Sequence, residues 1–100
     1  MKILNWAFVA VTHYGKEHQK KKAIEEMAEL ITALSREQDG RATEHDIITE
    51  IADVSIMMCQ LMEIYGDEQC QKEIQRKQAR LMRQINRETN EIYGKFGKRD

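Results

Sequence analysis

The segment from Asp46 to Met62, DIITEIADVSIMMCQLM, sets the tightest limit on what this chain can fold into. From Ile47 onward, Ile47, Ile48, Ile51, Val54, Ile56, Met57, Met58, Leu61, Met62 and Ile64 cover almost the whole circumference of a helix. A helix that is apolar on every side is expected to be buried. The same helix nevertheless carries Asp46, Glu50 and Asp53 along one stripe. A carboxylate forced out of water costs several kcal/mol unless it neutralises, pairs or binds a metal. Any fold for this chain has to compensate those acids.

The rest of the sequence favours an all-α answer. It has no proline, five glycines and six methionines, and 33% of its residues are charged, a mixture suited to long uninterrupted helices. One hundred residues suit a single domain, 1–100, with one core. A net charge of -1 and a pI near 6.3 give no global signal for nucleic acid or for an anionic membrane. No apolar run approaches the ~20 residues needed to span a bilayer. The N-terminal MKILNWAFVAVTHYGK is interrupted by Asn5 and Trp6 and lacks a small-x-small cleavage site. Cys59 and Cys70 are isolated and read as reduced thiols, so a cytoplasmic protein is expected.

Four helical segments are predicted. The first covers about Ile3 to His13 and ends at Tyr14-Gly15, with Trp6 among Leu4, Phe8 and Val9 as core. The second runs from about Lys16 to Arg36 and stops in SREQDGRAT, at Asp39-Gly40. The third follows Thr43, with Asp46 as an acidic capping partner, and breaks at Gly66. The fourth starts at Asp67, an N-cap, and extends to about Asn90, leaving a frayed basic tail over 91–100. His13, His18 and His45 fall near helix ends or loops and are expected in solvent.

Residues three and four apart share a helix face. In KKAIEEMAELITAL one arc holds Ala23, Ile24, Met27, Ile31 and Leu34, a core stripe, while Glu25, Glu26 and Glu29 share the other side with Lys22. Glu26 and Glu29 form E-x-x-E, and Glu50 and Asp53 form E-x-x-D. Two antiparallel helices joined by a short loop bring these pairs face to face. Four carboxylates in one cleft repel and raise one another's pKa, a conflict that a divalent cation removes; hard oxygen ligands suit Mg²⁺ or Mn²⁺. The competing reading is an ion-pair cluster using Lys22 or the cations of the fourth segment. A di-iron site is disfavoured, because no histidine stands three residues after a glutamate.

The fourth segment, EIQRKQARLMRQINRE, carries Arg76, Lys77, Arg80, Arg83 and Arg87 in one broad arc, with Ile74, Leu81, Met82 and Ile85 on the other side. A cationic stripe together with a carboxylate–metal cluster is what a polyphosphate requires. The alternative is a solvated amphipathic face.

HQKKKAIEEMAEL, followed about twenty residues later by EIADV in the next helix, resembles the MazG-like all-α nucleoside triphosphate pyrophosphohydrolases. The match spans roughly residues 13 to 83. The resemblance implies a four-helix bundle completed by a homodimer or homotetramer, with Mg²⁺ held by Glu26, Glu29, Glu50 and Asp53. It implies hydrolysis of a nucleoside triphosphate to monophosphate and pyrophosphate, with Glu26 or Glu29 as the base. Gln19 and Lys22 match a Q-x-x-K element near the nucleotide, and Lys77 and Arg80 a K-x-x-R element at its phosphates. Two other readings stay open. One is a phosphoribosyl-ATP pyrophosphohydrolase, whose aromatic-His pair is replaced here by Ser55-Ile56-Met57-Met58. The other is a non-enzymatic helical binding module.

Overall fold

A computed structural model describes residues 5–96, with side chains up to residue 91. Four helices follow in order: α1 (Trp6–Tyr14), α2 (Lys16–Gln38), α3 (Glu44–Tyr65) and α4 (Asp67–Phe96). No strand occurs among the described residues. The backbone divides into two compact units, Met1–Asp67 and Glu68–Asp100.

In the first unit each helix boundary has a local cause. Asn5 caps α1, its side-chain oxygen accepting from the amides of Ala7 (3.0 Å) and Phe8 (3.3 Å). Its amide group donates to Glu63 at 3.2 Å and so ties the start of α1 to α3. The end of α2 is a Schellman motif: Arg41 N–H donates to the Arg36 carbonyl (2.7 Å) and Gly40 N–H to that of Glu37 (3.0 Å). Gly40 has φ 74°, a left-handed conformation that a side chain would strain. This motif carries α2 two residues past the expected stop at Arg36. Thr43 and Asp46 then close a capping box on α3, with bonds of 2.8 and 3.1 Å. The bonds from Thr43 hold the Asp46 carboxyl below its usual pKa, so the box is intact at neutral pH.

The short connection 39–43 returns α3 along α2 in antiparallel sense, as contacts between opposite ends require: Gln19 meets Gln60, and Glu29 meets Glu50. Ala7, Val11, Ala23, Ile47 and Met57 form the buried apolar core. It is a narrower core than the sequence suggests. On α2, Ile24 is 65% and Ile31 69% exposed, with Leu34 exposed as well, while Gln19, Ala23 and Glu26 are buried. The inward face of α2 is therefore rotated from the expected stripe onto one that includes a glutamate. Helix α3 is not buried all round either: Ile48, Ile51, Ile56, Met58 and Cys59 are exposed. Within this unit only α1 and α2 pack on α3, and two neighbours leave the far side of a helix uncovered. Trp6, Phe8 and Val9 are exposed rather than core, because α1 turns only Ala7 and Val11 inward. His13, His18 and His45 are exposed, as expected.

Helix α4 continues to Phe96, six residues beyond the expected end at Asn90. Its first helical residue is Asp67 itself, directly after Gly66. Same-helix ion pairs join Glu68 to Lys72 and Glu73 to Arg76. Its apolar Ile74, Leu81, Met82 and Ile85 are exposed. Ile3 and Leu4, expected in the first helix, and residues 97–100 of the expected tail lie outside the described residues.

Candidate metal centre

Glu26, Glu29 and Glu50 meet. Each offers a carboxylate oxygen, and these oxygens all lie within 4.8 Å of one another. The two helices place them by spacing: Glu26 and Glu29 are one turn apart on α2, and Glu50 faces them from α3. The three differ in environment. Glu26 is 9% exposed, Glu50 is half-buried and Glu29 is exposed.

One cation serves the cluster directly. Lys22 Nζ lies 3.2 Å from Glu26 Oε1, across one helical turn, and this contact raises the lysine pKa. It does not satisfy the site. Glu26 Oε2 and Glu50 Oε2 are both buried with no hydrogen-bond partner among the described residues. Such oxygens carry the full desolvation penalty. The Glu29 carboxyl is pushed above its ordinary value, chiefly by the charge of Glu26, with partial desolvation and the charge of Glu50 adding to it; Lys22 opposes the shift. Three crowded acids, two of them with an orphaned oxygen, make an all-oxygen donor set that fits a hard divalent cation.

The remaining predicted site residues are distributed differently. Asp53, one turn after Glu50 and half-buried, stands outside the group of three. Gln19 is buried, but its amide is engaged: Nε2 donates to Gln60 Oε1 at 2.7 Å, and Oε1 lies 2.7 Å from His18 Nδ1. This is a buried bridge between α2 and α3 rather than a free nucleotide donor. Gln60→Leu is expected to lower stability by about 1–3 kcal/mol in urea denaturation, because it strands the Gln19 amide. The double substitution Gln19→Leu/Gln60→Leu recovers much of that loss, since it removes both halves of the bond. Additive losses in the double variant disprove the bridge. Lys77 and Arg80 are exposed on α4, in the second unit.

Sequence reasoning missed the cavity that the cluster opens into. It measures about 570 Å³ between the C-terminal half of α2 and the start of α3, and Glu29 and Glu50 form part of its wall. Arg36, Arg41, Thr32 and Thr49 line it as well. The i, i+4, i+7 spacing of Glu29, Ala33 and Arg36 could have signalled that they share a face.

No protein-family model, curated protein or solved structure matches the chain significantly. No described helix is long and apolar enough to cross a membrane.

Proposed function

We propose that the chain is a Mg²⁺-dependent nucleoside triphosphate pyrophosphohydrolase of the MazG-like type, active in the cytoplasm. The observation that carries this reading is the convergence of Glu26, Glu29 and Glu50 with two buried, unpartnered carboxylate oxygens. These three side chains would hold Mg²⁺ or Mn²⁺, with Asp53 a fourth ligand by its position on α3. The bound ion supplies charge neutralisation and Lewis acidity at the phosphates.

The chain's own groups divide the remaining work. Glu29 is the exposed member of the triad, which suits the side chain that accepts a proton from the attacking water. Glu26 is held by Lys22 and serves as a fixed anchor. Water oxygen adds to the α-phosphorus, the bridging α–β P–O bond breaks, and pyrophosphate departs. Lys77 and Arg80 would take phosphate charge. Homo-oligomerisation into a dimer or tetramer is supported by the exposed Ile48, Ile51 and Ile56, an apolar side of α3 that a second copy would cover.

The Lys22–Glu26 pair gives the non-enzymatic module its best support, since it shows one acid already compensated. A panel of nucleoside triphosphates with pyrophosphate detection separates the two readings. Pyrophosphate release that EDTA abolishes is the expected result. A chain that releases none and binds neither Mg²⁺ nor Mn²⁺ is the helical module.

A further inference from the structure

We propose that Arg36 and Arg41 form the anion-binding end of the α2–α3 cavity and hold the polyphosphate chain of the ligand. The proposal rests on the metal reading above and adds the donors that reading lacks in the first unit. Two kinds of charge line the same cavity, the acids Glu29, Glu50 and Asp46 and the arginines Arg36 and Arg41. Opposite charges lining one cavity can pair. Yet the ion pairs of the described residues join neither Arg36 nor Arg41 to Glu29 or Glu50. A cavity holding separated carboxylates and guanidinium groups suits a ligand that brings both signs, and a metal–polyphosphate complex is such a ligand.

The other polar groups of the cavity do not compete for that role. Thr32 donates its hydroxyl to the Ala28 carbonyl and Thr49 to that of His45, each at 3.0 Å, so both retain only acceptor capacity. Asp46 is engaged in the capping box. Ala28, Ala33 and Ala42 contribute only small apolar groups. The side-chain donors left for phosphate oxygens are therefore the two arginines. Arg36 has no side-chain partner among the described residues, while Arg41 pairs with Asp39 at 2.8 Å. Both members of that pair are more than half exposed, and such pairs exchange readily for a stronger anion. Position also favours the assignment. Arg36 lies two turns beyond Glu29 on α2, roughly 10 Å along the axis, and Arg41 follows in the Schellman turn. A chain of phosphates starting at the carboxylates runs toward both.

The test uses the full chain, inorganic tripolyphosphate and Mn²⁺. Mn²⁺ binding alone is measured by electron paramagnetic resonance, and tripolyphosphate binding by calorimetry. Arg36→Ala and Arg41→Ala are expected to weaken Mn²⁺-dependent tripolyphosphate binding by about 10–100-fold each, the loss of one or two charged hydrogen bonds. Mn²⁺ affinity and circular dichroism stay at wild-type values, and Arg36→Lys restores part of the loss because it returns the charge without the fork. Equal tripolyphosphate affinity in wild type and variants overturns the proposal, as does a parallel loss of Mn²⁺. A wild-type chain that binds no Mn²⁺ overturns the metal reading instead, and titration with tripolyphosphate alone then decides the arginine assignment by the same comparison.

Discussion

Glu50→Gln is expected to lower the metal-dependent pyrophosphate release proposed for this chain by roughly 10²–10³-fold, while helical content is retained. The substitution keeps the size of the side chain and removes its charge. Glu50 supplies α3's share of the acidic triad, and its Oε2 is buried with no hydrogen-bond partner among the described residues, which leaves that oxygen open to a ligand. A glutamine there presents an amide donor to a cation or a neutral oxygen of weaker attraction. Metal affinity should fall together with turnover, which separates loss of the site from loss of the fold. Wild-type turnover in this variant, with Mg²⁺ present, ends the assignment.

Mn²⁺ at a hundred times its Kd should raise the free energy of unfolding by about 2.7 kcal/mol, a Tm increase of roughly 10–20 °C for a domain of this size. The increase should depend on pH with a definite sign. Glu29 has a folded-state pKa raised above its ordinary 4.5, so the metal-free fold favours the protonated acid. That stabilisation is complete below the unfolded pKa and is lost as pH rises through the folded one. The metal-free Tm therefore declines across that window. The ion must displace the same proton, so its affinity rises by up to about tenfold per pH unit until Glu29 is fully ionised. The gap between metal-loaded and metal-free melting curves widens from acid to neutral pH. Glu29→Gln removes that decline from the metal-free curve. A gap of constant size across the series shows that Glu29 and the ion do not share a site.

The helices were legible because their boundaries are local. Gly15, Asp39-Gly40, Thr43 with Asp46, and Gly66 each act within a few residues of themselves, and each ends or begins a helix near the expected place. The two acidic pairs were legible for the same reason, since the one-turn spacing of Glu26 and Glu29 is a property of one helix. Burial was not. Ile24 and Glu26 are two residues apart on α2, and the isoleucine faces out while the glutamate faces in. Hydrophobicity alone ranks them the other way. The chain has more apolar residues than two neighbouring helices can cover, so the packing partner, rather than the residue type, selects the inward stripe. Gln19 shows the same limit: a motif position suggested a nucleotide contact, and pairing with Gln60 across α2 and α3 engages its amide instead.

What the sequence by itself determined is the all-helical class, the order of the helices and the caps and glycines that separate them, and the presence of acids where oxygen ligands would be needed. Only the tertiary structure decided that Glu26, Glu29 and Glu50 converge, and that Arg36 and Arg41 share a cavity with two of them. The physical reason is range. Caps and turns are settled by hydrogen bonds within a few residues, whereas charges more than twenty residues apart become neighbours only through the angle at which one helix lies on another.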